Sequence, residues 1–114
     1  MAEYNGSAAF TIPRHVRYKD GINIETITGD KALTYHDSQY QILTNSKGSN
    51  ADVRAPAKKN GAMFWIKNAA ASGHPILIQE ADTTPIIGSP GLAAGKLCCI
   101  VCDGSNWAVL FQQA

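Results

Sequence analysis

The sequence has little charge and no excess of either sign, since ten Lys and Arg stand against nine Asp and Glu among its 114 residues. A net charge of +1 gives the chain as a whole no electrostatic preference for nucleic acid or for an anionic membrane surface. No apolar run approaches the roughly 20 residues needed to span a bilayer. The first residues also lack the basic start and apolar stretch of a secretory signal. We therefore expect no nucleic-acid or membrane partner, and synthesis in a cytosol.

Cysteine is scarce, and its three copies are crowded together as Cys98, Cys99 and Cys102. An odd and crowded set does not suit a disulfide framework. In a strand, Cys98 and Cys99 point to opposite faces, while Cys98 and Cys102 share a face about 13 Å apart. That separation is too large for two ligands of one zinc ion, each at about 2.3 Å. Core packing is the favoured interpretation, and a metal or redox role is the alternative.

Spacings typical of catalytic or cofactor sites are also missing. His15, His36 and His74 are dispersed, and no pair has the spacing of metal ligands. The glycines within residues 88–95 match neither a phosphate-binding loop nor a dinucleotide fingerprint. A Cys–His–Asp nucleophilic site would need a reactive thiol in a polar cleft, whereas these cysteines lie in a very apolar segment. We predict that the protein is not an enzyme and has no cofactor and no metal.

Helix signals are nearly absent, and residues 52–61 leave room only for one helical turn or a loop between Pro56 and Gly61. Elsewhere, short apolar or alternating runs are separated by turn residues. The predicted strands cover residues 22–28, 33–35, 40–44, 62–68, 75–79, 85–88, 96–102 and 106–112. Strands at intervals of about ten residues predict an all-β domain over residues 21–114, either an antiparallel β-sandwich or a jelly-roll-like small barrel.

The last two runs flank Asp103-Gly104-Ser105, which predicts a β-hairpin. Residues 63–66, 97–102 and 107–111 are apolar at successive positions, so both faces of these strands should be buried. The outer face would lie either under a loop of the same chain or against another subunit. The residues assigned to this inter-subunit or core packing are Trp65, Leu97, Cys99, Val101, Trp107, Val109 and Leu110. The two tryptophans could alternatively stack on a sugar or a base.

The first 20 residues differ from the rest, because they combine poor strand alternation with several basic residues. We predict an extended arm over residues 1–20 that is mobile in the free protein and ordered on binding. The arm would either dock on an acidic protein surface, contact phosphates or remain solvated. The residues expected to make its contacts are Phe10, Ile12, Arg14, Arg17 and Lys19.

A succession of short motifs between Asp30 and Leu110 resembles the small all-β domains of tailed-bacteriophage virion proteins. In those domains a Thr-Tyr-x-Asp-Ser opening, a Pro-Ala-x-x-x-Gly turn and a closing Asp-Gly-x-x-Trp hairpin recur. The corresponding segments here are Leu33-Thr34-Tyr35-His36-Asp37-Ser38, Ile42-Leu43-Thr44-Asn45, Val53-Arg54-Ala55-Pro56-Ala57 with Gly61, Met63-Phe64-Trp65-Ile66-Lys67-Asn68-Ala69, Gly73-His74-Pro75-Ile76-Leu77-Ile78, Ile86-Ile87-Gly88, Leu92-Ala93-Ala94-Gly95-Lys96 and Cys102-Asp103-Gly104-Ser105-Asn106-Trp107-Ala108-Val109-Leu110. Ala55-Pro56 stands where the pattern usually has Leu-Pro.

The resemblance implies a structural protein without catalytic residues. It is most like the capsid decoration (cement, head-stabilising) proteins, which implies a homotrimer that binds the major capsid protein on the outside of the virion. The protein would be synthesised in the cytoplasm of the host bacterium, and the arm would attach it to the shell. The alternative implied by the same family is a module of a head fibre or tail fibre that binds a glycan of the host surface.

Overall fold

A computed structural model describes residues 21–86, 88 and 91–114. This part of the chain forms eight β-strands and no helix. The predicted arm, with Phe10, Ile12, Arg14, Arg17 and Lys19, lies outside the described residues. The strands are β1 (Ile22–Ile27), β2 (Lys31–Ala32), β3 (Tyr40–Asn45), β4 (Ala51–Arg54), β5 (Met63–Asn68), β6 (Ile76–Gln79), β7 (Leu97–Cys102) and β8 (Trp107–Gln112). The all-β class is therefore confirmed.

The strands form two open sheets between which the chain alternates. The larger sheet has the order β1-β3-β5-β7-β8, and the smaller has the order β2-β4-β6. Each of the first six strands is followed by a strand of the other sheet, so that one turn of the chain contributes one strand to each sheet. The last two strands form a hairpin that extends the larger sheet beyond β5.

The expectation of antiparallel pairing is wrong for most of the fold. The pairs β1–β3, β3–β5, β2–β4 and β4–β6 are parallel, and only β5–β7 and β7–β8 are antiparallel. Each of β1 to β4 pairs with the strand two places along, which is reached after a full turn of the chain and therefore runs in the same direction. The polar turns between the first six strands are corners that carry the chain from one sheet to the other.

The prediction of a loop or helical turn over residues 52–61 is wrong for residues 52–54, which belong to β4. Ala51 and Val53 are buried while Asp52 and Arg54 are half-buried, which is the alternation of a strand with one face on the core. The loop begins only after Arg54.

One hydrophobic core joins the two sheets. Its members from the larger sheet include Leu43, Ile66 and Ile100, and those from the smaller sheet include Val53 and Ile76. All five are at most 1% exposed. In β3 and β5 the buried side chains occur at alternate positions, and in β7 the core members Cys98, Ile100 and Cys102 do so, so each strand has one face toward this core.

The terminal hairpin occurs where the sequence predicts it. The carboxylate of Asp103 accepts hydrogen bonds from the backbone N–H groups of Ser105 and Asn106, both at 2.8 Å. Gly104 has a φ of 96°, a conformation that side chains other than glycine rarely adopt. These two residues fix the turn, since one supplies its acceptor and the other its backbone conformation.

Asp30 stabilises a corner between the sheets and makes the stability of the domain depend on pH. Its carboxylate accepts hydrogen bonds from the backbone N–H of Asp52 at 2.9 Å and from the Lys47 ammonium at 3.0 Å. These contacts, the first being the stronger cause, hold the pKa of Asp30 below its ordinary value of 3.8. A carboxylate whose folded pKa is depressed stabilises the fold above its unfolded pKa, and this contribution is lost as pH falls through the folded pKa.

We therefore expect the urea midpoint to fall between about pH 6 and about pH 3. Asp30→Asn should lower the midpoint at the higher pH and reduce the drop between the two, because its amide does not titrate. Thr28→Ala, at an exposed position of the same corner, is the control and should retain the full drop. An equal drop in Asp30→Asn and wild type would show that Asp30 does not contribute.

Candidate interaction surface

The register of the larger sheet brings five non-polar or aromatic side chains into one row. Ile22 lies opposite Tyr40, Tyr40 opposite Trp65, Trp65 opposite Cys99, and Cys99 opposite Phe111. These positions alternate with the core-facing ones, so the row lies on the side of the sheet away from the core. We call this side of the larger sheet the outer face.

A depression of about 210 Å³ lies along this outer face, at β1, β3, β5 and the first residue of β7. Its wall is almost entirely apolar, and Lys67 is the one charged residue among those that line it. Such a surface suits contact with another apolar surface better than the binding of a polar small molecule. The lining residues are Ile22, Tyr40, Gln41, Ile42, Trp65, Ile66, Lys67 and Leu97.

On β1 the usual assignment of apolar residues to the core is reversed. Ile22 and Ile24 are 58% and 77% exposed, whereas Asn23 and Glu25 are half-buried on the opposite side. The Asn23 amide donates to the Gln41 side-chain oxygen at 2.7 Å and to the Glu25 carboxylate at 3.0 Å. Lys31 completes the group with an ion pair to Glu25 at 2.9 Å. Because the polar residues satisfy one another toward the interior, the isoleucines face solvent.

The opposite edge of the sheet is apolar as well, at an irregularity of β8. The pairing of β7 with β8 shifts between Cys99 and Ile100, which leaves Leu110 as an extra residue. Leu110 and Phe111 are 65% and 50% exposed, and the Phe111 ring lies 6.5 Å from that of Trp65. Four of the five exposed large hydrophobic side chains in the described part of the chain therefore belong to the two edge strands, β1 and β8.

The residues predicted from the sequence to pack in the core or between subunits separate into two groups. Trp107 is fully buried and Val109 packs against the core. The outer face receives Trp65, Leu97, Cys99 and Val101, of which only Cys99 is fully buried, while Leu110 is exposed at the irregularity of β8.

Ile22, Ile24, Tyr40 and Ile42 complete the apolar outer face and were not predicted as interface residues. In β1 and β3 these apolar residues alternate with others along the sequence, but such alternation alone does not determine which face of a strand is turned to the core.

The turn motifs that carry the resemblance are in contact with one another. The Tyr35 hydroxyl donates a hydrogen bond to the Ala57 carbonyl, and the Lys59 ammonium lies 5.4 Å from the centre of the Tyr35 ring. The Trp107 indole N–H donates to the Pro56 carbonyl at 3.0 Å. The Thr-Tyr, Pro-Ala and Asp-Gly-x-x-Trp segments thus hold one end of the two sheets together, which is a structural role.

The cysteines occupy the faces that strand geometry predicts. Cys98 and Cys102 lie on the core side of β7 and Cys99 on the outer side, and all three are buried. Burial, together with the nearby Cys99 thiol, raises the pKa of Cys98 to about 12, and burial also raises the pKa of Cys99. A thiol with such a raised pKa is almost entirely protonated at neutral pH and is a poor nucleophile.

We therefore expect an aromatic disulfide reagent at about pH 8 to modify the native protein at less than about a hundredth of the rate seen in urea. The unfolded chain, which should release three thiols, serves as the control. Rapid modification of a cysteine in the native protein would support the nucleophilic site that the geometry disfavours.

The described residues also contain a second depression and two histidines. A second depression of about 210 Å³ is lined by the ion pair of Lys58 and Glu80, at 3.3 Å, together with Asp82 and Trp107 among others. His36 and His74 are exposed. In the part of the chain that the structure describes, no group of three or more His, Cys, Asp or Glu residues is arranged to hold a metal ion. The same part of the chain contains no helix that could cross a membrane.

In comparisons with known proteins, no family model matches this chain, and no match is found among curated proteins or solved structures.

Proposed function

We propose that the protein is a structural component of a bacteriophage virion, a homotrimeric capsid decoration protein that binds the outer shell and stabilises the head. The observation that carries this proposal is the apolar outer face, with exposed Ile22, Ile24, Leu110 and Phe111 at its two edges. Exposed apolar surface of this kind is rare in proteins that act as monomers and is typical of association surfaces. The two sheets and their common core act as a small β-sandwich that presents this face.

The order of the turn motifs supports the bacteriophage origin. Tyr35, Pro56, Ala57 and Trp107 belong to three separate motifs, and hydrogen bonds connect them in the folded domain. Residues that must meet in the fold must also keep their order along the chain, which is what an architecture shared with those domains would require. Function is inferred here from that analogy together with the association surface.

Attachment to the capsid is assigned to residues 1–20. Phe10 and Ile12 would contact apolar sites of the major capsid protein, and Arg14, Arg17 and Lys19 would pair with its carboxylates. Ordering a chain segment costs about 1–2 kcal/mol per residue. The contacts must offset that cost, and three arms acting together in a trimer make this easier.

Deletion of residues 2–19 should leave a folded trimer that no longer binds capsids. The control is full-length protein with Ala71→Lys, an exposed position outside the arm and outside the outer face. A truncated trimer that still decorates shells at wild-type occupancy would show that the docking surface lies on the β-domain.

The function itself is tested by quantitative mass spectrometry of purified virions from the phage that encodes the chain. A decoration protein should be present in roughly hundreds of copies per virion, because it covers the shell. The copy number is obtained from its ratio to the major capsid protein. Absence from purified virions would refute the proposal.

A fibre module that binds a host-surface glycan is the second candidate, and one observation favours it. Tyr40 and Trp65 are neighbours on the outer face and are both half-buried, so their exposed parts could stack on a sugar ring. A few copies per virion, together with a glycan-dependent change in Trp65 fluorescence that Trp65→Phe removes, would favour this candidate over decoration. Trp107 contributes a constant background because it is fully buried.

A further inference from the structure

An Asn-Gly pair lies in the turn that leads into β5. The sequence contains two such pairs, Asn5–Gly6 and Asn60–Gly61, and the second belongs to the described residues. Asparagine is one of the chemically labile side chains of proteins. Its lability is greatest before glycine, because a residue without a Cβ leaves its backbone nitrogen unhindered. Asn60 and Gly61 are both exposed, so access of water does not limit a reaction there.

Deamidation at this pair begins with attack of the Gly61 backbone nitrogen on the side-chain carbonyl carbon of Asn60. A C–N bond forms, the Gly61 nitrogen gives up its proton, and the side-chain amide leaves as ammonia. Water then opens the five-membered succinimide at either of its two carbonyl carbons. One product is aspartate with an unchanged backbone, and the other is isoaspartate, in which the chain runs through the side-chain carbons. The rate depends on how closely the nitrogen can approach the carbonyl carbon.

The fold restrains the attacking nitrogen in two ways. The Gly61 N–H donates to the Cys102 carbonyl at 2.9 Å, so the proton that must be lost is held in a hydrogen bond to β7. The Ala62 N–H donates to the Lys59 carbonyl at 3.1 Å, which closes a β-turn around the pair. With a φ of 88° at Gly61 and no positive φ at Asn60, this turn is of type II. Its geometry rotates the Gly61 nitrogen away from the Asn60 side chain, whereas ring closure requires the two to eclipse.

The turn of the terminal hairpin lies directly against Asn60. A Cβ atom at Gly104 would be 3.3 Å from the Asn60 Cβ and 3.8 Å from the Asn60 Cα and N, and the first of these distances is shorter than almost all contacts of a real Cβ. The Cys102 N–H also donates to the Ala62 carbonyl at 2.9 Å, so β7 is bonded to the turn at two successive residues. The peptide between Asn60 and Gly61 therefore cannot rotate into the reactive geometry without breaking contacts with the hairpin.

We infer that Asn60 is a deamidation site that the fold keeps unreactive, and that it reacts through a local opening in which the turn at Asp103 separates from residues 59–62. Local openings of this kind cost less free energy than unfolding of the whole domain. The isoaspartate product prevents the turn from closing again as before. It lengthens the backbone between positions 60 and 61 and displaces the N–H that binds Cys102. Each opening that leads to reaction is therefore recorded permanently in the covalent structure.

The protection is measured by comparing the native full-length protein with the same protein unfolded in guanidinium chloride. Both are incubated at mildly alkaline pH, which favours loss of the proton from the attacking nitrogen. Peptide mapping by mass spectrometry quantifies aspartate and isoaspartate at position 60 separately from those at position 5. Asn60 should react at least about 100-fold more slowly in the native protein. Equal rates in the two conditions would overturn the inference, because the fold would then give no protection.

Two glycine variants distinguish local opening from global unfolding as the route to reaction. Gly104→Ala places a methyl group against Asn60 at a position with a φ of 96°. Gly48→Ala is the matched control, since its φ is 85° but a methyl group there meets nothing within 4 Å. The two variants are compared at the same free energy of unfolding, which is set with denaturant. Asn60 should then react at least about 10-fold faster in Gly104→Ala. Equal rates would place the reaction in the globally unfolded chain and contradict a local route.

The wild-type protein provides a test that does not depend on the folding of either variant. A local opening exposes little surface, so the rate at Asn60 should be nearly independent of denaturant concentration well below the unfolding midpoint. A rate that rises in parallel with global unfolding from the lowest concentrations would show that no local route exists.

Discussion

Replacing Trp107 with alanine is expected to lower the free energy of unfolding by about 3–5 kcal/mol, a large part of the 5–15 kcal/mol typical of a domain. Trp107 is fully buried, and its ring centre lies 6.1 Å from that of Phe64. Its indole N–H also donates to the Pro56 carbonyl at 3.0 Å. The substitution would leave a cavity and remove the hydrogen bond that joins the terminal hairpin to the loop after β4. Urea unfolding followed by circular dichroism measures the loss.

Two further variants serve as comparisons, one at Trp107 itself and one at the other tryptophan. Trp107→Phe keeps most of the apolar volume but has no N–H donor, so it should cost less than alanine. Trp65→Ala removes a tryptophan that is only half-buried on the outer face, and it should destabilise the monomeric domain less than Trp107→Ala. A Trp107→Ala protein with an unchanged urea midpoint would contradict the assignment of Trp107 to the core.

Replacing Asn68 with leucine is expected to destabilise the domain by on the order of 3 kcal/mol, although the change keeps the branched shape of the side chain and adds apolar character. Asn68 is fully buried at the end of β5. Its amide nitrogen donates to the carbonyls of His74 and Leu92, at 3.2 and 3.1 Å, and its oxygen accepts the Ala70 N–H at 3.3 Å. Leucine can form none of these hydrogen bonds. The Ala70 N–H therefore loses its acceptor, and the carbonyls of His74 and Leu92 each lose a donor.

The matched control is Ile66→Leu, a buried position on the same face of the same strand. Exchanging one branched aliphatic side chain for the other should cost less than about 1.5 kcal/mol. Equal urea midpoints for Asn68→Leu and Ile66→Leu would show that the polar contacts of Asn68 add nothing to stability.

The extended segments of the fold could largely be predicted from sequence. The alternating residues 22–27 and the apolar runs at 63–68, 97–102 and 107–112 are strands, and the turn at Asp103 closes a hairpin. Strand alternation also placed Cys99 on the face opposite Cys98 and Cys102. These features depend on residues close together in the chain, whose backbone preferences and pattern act locally.

Sheet membership and strand direction depended on contacts between distant residues. A polar turn can return the chain beside the strand it has just left, as at Asp103, or carry it across the core to the other sheet, as at Asp30. Both turns have similar chemistry. The outcome at Asp30 involves its hydrogen bond with Asp52 and its ion pair with Lys47, and neither partner is adjacent to it in sequence.

Only part of the candidate surface could be predicted from the sequence. The apolar character of both faces of β5, β7 and β8 predicted a covered outer face, and Trp65 and Leu97 do lie there. Ile22 and Ile24 would ordinarily be assigned to the core, but the contact of Asn23 with Gln41 turns the polar side of β1 inward and those two residues outward. Local sequence therefore determined where the strands and the terminal turn form. Tertiary packing decided which sheet each strand joins and which face of β1 meets solvent. The reason is that polar groups far apart in the chain form hydrogen bonds with one another only in the folded structure.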